Sequence, residues 1–144
     1  LDLVGTSEAV FGIQNTTISS TNDGATYGGD GLALRMNEAA QIPGGLGVGL
    51  NIGDPTLANT TFTENAGDGM SIFMDATSQL INPIIRNSTF SNNGADGLNV
   101  NRQGSAVINN FVIGVDDGNV NTFDNQFTGN GGDGIDLTAS FALL

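Results

Sequence analysis

The sequence predicts an all-β solenoid, a chain wound into stacked parallel coils. Three observations point there: a recurring block of residues, period-two alternation inside each block, and glycine-rich punctuation between blocks. Phe62, Asn65, Asp68, Gly69, Met70 and Ile72 recur in the same order as Phe90, Asn93, Asp96, Gly97, Leu98 and Val100. They recur again as Phe127, Asn130, Asp133, Gly134, Ile135 and Leu137. An earlier, partly degenerate copy runs through Tyr27, Gly28 and Gly29 to Asp30, Gly31, Leu32 and Leu34.

The block extends backwards. Asn15, Asn59 and Asn87 each stand three residues before a large apolar side chain, at Ile18, Phe62 and Phe90, with Asn110 before Ile113 as a looser version. Each unit reads as two short alternating strands joined by a turn of Gly, Asn and Asp, the residues that accept positive φ and bond locally to the backbone. Helix is disfavoured, because Gly costs roughly 1 kcal/mol at an interior helical position and no sustained 3.6 period is present. Residues 36–40 allow one turn at most. A hairpin sandwich also uses short strands, but it has no need for Phe62, Phe90 and Phe127 to fill one slot. A solenoid does, because each coil buries its inner face only against the coils on either side.

The Asp-Gly marks at Asp30, Asp68, Asp96 and Asp133 are unevenly spaced. Either each step is one coil, with loops of about ten residues added to the longer steps, or the longer steps hold two coils each. The first account is preferred, with a single unit over 1–144, about 4–6 coils, and loop insertions about 37–56 and 114–122. On this account the stretch from Gln41 to Gly47 is an excursion, as is Asp116 to Asn119, while the apolar piece from Val48 to Ile52 keeps the second account open.

These marks resemble the right-handed parallel β-helix repeats of pectin-lyase-like enzymes and of bacterial surface and adhesin-type proteins. The resemblance covers about Gly12 to Leu137. It implies three short parallel sheets per coil, inward columns of apolar side chains, and asparagine ladders at the corners. The expected columns are Leu32, Met70, Leu98 and Ile135; Leu34, Ile72, Val100 and Leu137; and Ile18, Phe62, Phe90 and Phe127.

Composition narrows the function. Fifteen carboxylates against Arg35, Arg86 and Arg102 give a net charge of −12, which repels phosphate backbones and leaves no basic patch for nucleic acid. No cysteine is present for disulfides or thiol chemistry. No apolar run approaches the roughly 18 residues that span a bilayer, so no membrane insertion is expected. The first residues, with Asp2 and Glu8, do not form the basic start of an export signal, so any such signal is expected to have been removed or to lie outside this chain.

Candidate chemistry is sparse. The column Asp30, Asp68, Asp96 and Asp133 reads first as turn-capping aspartates, and alternatively as a shared Ca²⁺ site between corners. Gly131 to Asp136 satisfies the first six positions of a calcium nonapeptide, but Thr138 fills the apolar slot and the copies lie too far apart. The better Ca²⁺ candidate is Asp117, Asn119, Asn121 and Asp124, where oxygen ligands alternate, although the turn glycine and closing glutamate of a calcium loop are missing. Glycan hydrolysis wants paired carboxylates, and Asp133, Asp136, Asp116 and Asp117 can be drawn that way. The hydrolases resembled also use a histidine and a basic substrate clamp, and this chain has neither His nor Lys. Thr17 and Ser19, Thr61 and Thr63, Thr89 and Ser91, and Gln126 and Thr128 form an outward hydroxyl array suited to ice or sugar contact, or simply to exposed strand faces. The N-x-[ST] sequons at Asn15, Asn59 and Asn87 share one repeat position, which a corner role explains without a glycan.

The function expected is a non-catalytic structural or adhesive module of a secreted or cell-surface protein, with carbohydrate contact and no obligatory cofactor. The alternative is a carbohydrate-active lyase or hydrolase, or a fragment of one. Leu1 to Leu3 and Phe141 to Leu144 read as cut from the middle of a solenoid, so flanking coils or end-to-end partners are expected.

Overall fold

The computed structural model describes residues 1–20, 29–44, 49–54, 58–114 and 124–140, and no helix occurs among them. The described residues wind through four rungs and the first strand of a fifth. Rung one holds β1 (Asp2–Leu3), β2 (Phe11–Ile13) and β3 (Thr17–Ser19). Rung two holds β4 (Leu32–Met36), β5 (Gln41–Ile42), β6 (Leu50–Ile52) and β7 (Thr60–Thr63). Rung three holds β8 (Met70–Met74), β9 (Gln79–Ile81), β10 (Ile84–Ile85) and β11 (Ser88–Ser91). Rung four holds β12 (Leu98–Arg102), β13 (Val107–Asn109), β14 (Val112–Ile113) and β15 (Gln126–Thr128), and β16 (Ile135–Ala139) opens the fifth.

Every described pairing is parallel and joins a strand to its counterpart one rung away. The first sheet runs β1-β4-β8-β12-β16, the second β5-β9-β13, the third β2-β6-β10-β14 and the fourth β3-β7-β11-β15. The fold is therefore a parallel β-helix, with four sheets where the resemblance implied three. The added division falls between the second and third sheets, where Asn82 and Asn110 take φ of 49° and 54° and turn the chain. Pro83 follows at once and has no N–H to give to a ladder.

Two further corners turn on left-handed residues that recur in register. Gly5, Glu38, Ala76 and Gly104 share one corner, with φ from 56° to 75°. Ser20, Glu64, Asn92 and Gly129 share another, with φ from 55° to 66°. An L-residue pays roughly 1–2 kcal/mol for this conformation.

Register also locates the extra residues. Ile42 pairs with Leu80, Ile52 with Ile85 and Phe62 with Phe90, so the offset shrinks from 38 to 33 to 28 across rung two. The surplus is split between the two corners flanking β6. In rung four, Ile85 pairs with Ile113 but Thr89 with Gln126, so nine residues are added between β14 and β15. The reading of Gln41 to Gly47 as an excursion is corrected by these pairings: Gln41 and Ile42 form β5 and pair with Gln79 and Leu80, and the insertion starts after them. Asn110 is corrected too. It stacks on Asn82 at the second corner, donating its Nδ2 to Asn82 Oδ1 at 3.1 Å, and is not the equivalent of Asn87.

Inside the coil, alternation puts like side chains over like. The three expected columns are in register as read from the sequence. The second and third sheets add Ile42, Leu80 and Ile108, and Ile13, Ile52, Ile85 and Ile113. Phe62, Phe90 and Phe127 stack with ring centroids 4.8 and 4.9 Å apart and planes 4° from parallel. That separation is the strand spacing of a sheet, so backbone pairing sets the ring distance.

One glycine column is demanded by close approach. A Cβ on Gly69 would stand 2.7 Å from Gly97 O, and one on Gly97 would stand 2.6 Å from Gly134 O. Backbone cannot yield at one rung without shifting the next.

Phe90→Ala is expected to lower stability by about 3–5 kcal/mol, because it opens a cavity between two rings that cannot close over it. Gly97→Ala is expected to be destabilising although it adds only a methyl group. Urea unfolding of both variants against the parent chain measures each effect.

Candidate functional site

Polar residues concentrate at the corner between the fourth and first sheets, where two ladders run along the axis. Asn65 donates its backbone N–H and its Nδ2 to Asn93 Oδ1, at 3.2 and 2.9 Å. Asn93 does the same to Asn130 Oδ1, at 3.2 and 3.0 Å. The Nδ2 groups also reach back to main-chain oxygens, Asn93 to Phe62 O and Asn130 to Phe90 O, each at 3.2 Å. Asn65 and Asn93 are each 2% exposed, so unmade bonds here would carry the full cost of burying an amide.

Three residues along, the aspartates form the second ladder, and its bonds run the other way. The N–H of Asp68 donates to Asp30 Oδ1 at 2.9 Å, that of Asp96 to Asp68 Oδ1 at 2.8 Å, and that of Asp133 to Asp96 Oδ1 at 2.6 Å. Each carboxylate thus caps the turn of the following rung rather than its own. Asp68 is 7% exposed, and burial pushes its carboxyl up to about 6, helped by the charges of Asp30 and Asp96 and opposed by the N–H of Asp96.

The other end of the fourth sheet carries a further amide contact. Asn125 accepts the Ser88 N–H at 3.0 Å and donates to Ile85 O at 2.8 Å. Among the sequon asparagines, Asn59 Nδ2 donates to Thr89 Oγ1 at 2.6 Å, and the buried Asn87 donates to Asp54 O at 2.8 Å.

Asp117, Asn119 and Asn121 lie outside the described residues, as do Asp116 and the end of the chain from Phe141. Asp124 is described and exposed. Continuing the pairing of Thr89 with Gln126 back by two residues puts Asp124 in register with Asn87. Among the described residues no three carboxylates gather closely enough to hold a metal ion. Asp133 is exposed at the corner, and Asp136 accepts the Thr138 hydroxyl at 3.2 Å.

The outward face of the fourth sheet brings the hydroxyl array together. Thr17, Thr61, Thr89 and Gln126 form one column, and Ser19, Thr63, Ser91 and Thr128 the other. Ser91 Oγ donates to Thr63 Oγ1 at 3.0 Å. No charged side chain lies in either column, although the chain as a whole carries −12.

Two features were not read from the sequence. Arg102 occupies the inward slot that Met36 and Met74 fill in the rungs before it, and its Nη1 donates to Ala106 O. Beside it a cavity of about 220 Å³ opens between rungs four and five, lined by Val100, Ile108, Phe111 and Leu137. That lining contains no acid–base pair. The register of Arg102 with Met74 is visible only once the strand is known to run five residues.

Compared with known proteins, residues 3–143 match the family model described as right-handed β-helix region. No curated protein and no solved structure matches the chain.

The Asp68 carboxyl titrates near 6 when folded and near 3.8 in a free chain, so the fold binds this proton more tightly than the unfolded state does. Its contribution is therefore fully favourable below the unfolded value and is lost as pH rises through about 6. Asp68→Asn keeps an oxygen for the Asp96 N–H and removes the buried charge. It is expected to raise Tm at neutral pH and to abolish the part of the Tm gain that the parent shows on acidification from pH 7 to 5. Thermal unfolding of both proteins across that range is the check.

Proposed function

Since the chain belongs to the right-handed β-helix family, we propose that it works as a non-catalytic structural and adhesive module of a secreted or cell-surface protein, contacting neutral glycans through its fourth sheet. One observation carries this reading. Asp30, Asp68 and Asp96, three of the four carboxylates that the repeat brings into register, each accept the backbone N–H of the next rung, so those carboxylates are committed to the fold. Carboxylates for glycan hydrolysis have to be free to move a proton or attack a sugar carbon.

The contact surface follows from what remains outward. Two columns of hydroxyls and one amide, uncharged and held at the strand spacing, offer donors and acceptors in rows to the hydroxyls of a sugar chain. Polyanionic glycans are disfavoured by the net charge of −12. Flanking coils of a longer solenoid, or end-to-end contacts, are the natural neighbours in this reading, and no cofactor is required.

The test is retention on insoluble neutral polysaccharides, with assays for reducing ends and unsaturated products run alongside. Weak retention that falls in the Thr61→Val/Thr89→Val double variant, with no product released, supports the module. Steady release of reducing or unsaturated ends would establish the enzyme reading instead. Calcium is a separate question with its own readout: millimolar Ca²⁺ is expected to leave Tm unchanged. A rise that Asp117→Ala removes would assign a site to Asp117, Asn119, Asn121 and Asp124.

A further inference from the structure

Two of the ladder asparagines precede glycine, as Asn93-Gly94 and Asn130-Gly131. In that dipeptide the following backbone nitrogen reaches the side-chain amide carbon most easily, because glycine has no Cβ to obstruct it. The fold leaves no other choice of residue. A Cβ on Gly94 would collide with the Ala66 carbonyl, and one on Gly131 with the Gly94 carbonyl. The asparagines are fixed in turn by the amide ladder. A chemically labile pair is thus built into successive rungs.

We propose that Asn93 and Asn130 are latent self-modification sites, held inert by the closed corner and converted to aspartate or isoaspartate when it opens. The nitrogen of Gly131 gives up its proton and bonds to Cγ of Asn130, while the bond from Cγ to Nδ2 breaks and ammonia leaves. Water then opens the five-membered imide at one carbonyl or the other. Water is the only reagent consumed, and nothing is oxidised or reduced.

The closed rung restrains both partners in that step. The Gly131 N–H donates to Asn93 O at 2.9 Å, and the Gly94 N–H to Asn65 O at 2.8 Å. The leaving amide groups are held by Phe90 O and Phe62 O. Asn93 is 2% exposed and has ladder neighbours on both sides, whereas Asn130 is half-buried, so the two differ in protection. Conversion also blocks return. A carboxylate at Asn130 would face the Phe90 carbonyl oxygen, to which the amide now donates at 3.2 Å, setting oxygen against oxygen. An opening of this corner would leave a covalent record.

The experiment incubates the full chain at mildly alkaline pH, in buffer and in concentrated urea, and follows amide loss at each site by peptide mass spectrometry. In urea, Asn93 and Asn130 are expected to convert at similar rates, and Asn65, which precedes alanine, far more slowly. In buffer Asn93 is expected to react at least about a hundredfold more slowly than in urea, with Asn130 intermediate, because reaction has to pass through the open corner. Equal folded and unfolded rates at Asn93, or no conversion in urea, would overturn the proposal. Asn130→Asp imitates one product and is expected to lower Tm by several degrees. An unchanged Tm would overturn the one-way character of the modification.

Discussion

At the corner between the fourth and first sheets the asparagine and aspartate side chains bond to the rung next door, and the register of the coils follows from that. Asn93 needs an amide at Asn65 and another at Asn130, and the turn before β12 needs the carboxylate of Asp68 beneath it. Once the corners are locked to one another, the strands leaving them share a register, and like side chains have to stack. The coplanar rings of Phe62, Phe90 and Phe127 result from that registration.

Insertions are compatible with the same constraint, because the strands on both sides of each keep their register. Rung two takes its surplus on either side of β6 and rung four between β14 and β15, and strand pairing resumes beyond each. The cost of the scheme appears at Asp68, where a buried carboxylate lies between two others. Its oxygen caps the following turn, a role that an asparagine oxygen would fill without the buried charge.

The fourth-to-first sheet half of the coil was legible in the sequence because it repeats with little variation. Asp-Gly followed by an alternating strand fixed the columns headed by Leu32 and Leu34, and Asn before Phe fixed the column through Phe90. The second and third sheets were not legible. Their strands run to two or three residues, too short for alternation to show, and loops of unequal length separate them, so β5 was absorbed into an apparent excursion and Asn110 into the wrong corner. For the aspartates, sequence reasoning found the capping role but not which turn each one caps. The actual acceptor–donor pairs lie 28 to 38 residues apart, and only the stacking of coils reveals them. The fourth-sheet hydroxyl columns were read correctly, because their residues flank the phenylalanines that set the register.

The two corner ladders run in opposite senses. Asparagine amides give toward later rungs, while aspartate carboxylates receive from them. A coil laid on the later face therefore has to bring an acceptor to one point and a donor three residues further along. The corner is consequently directional and gives the axis a head and a tail.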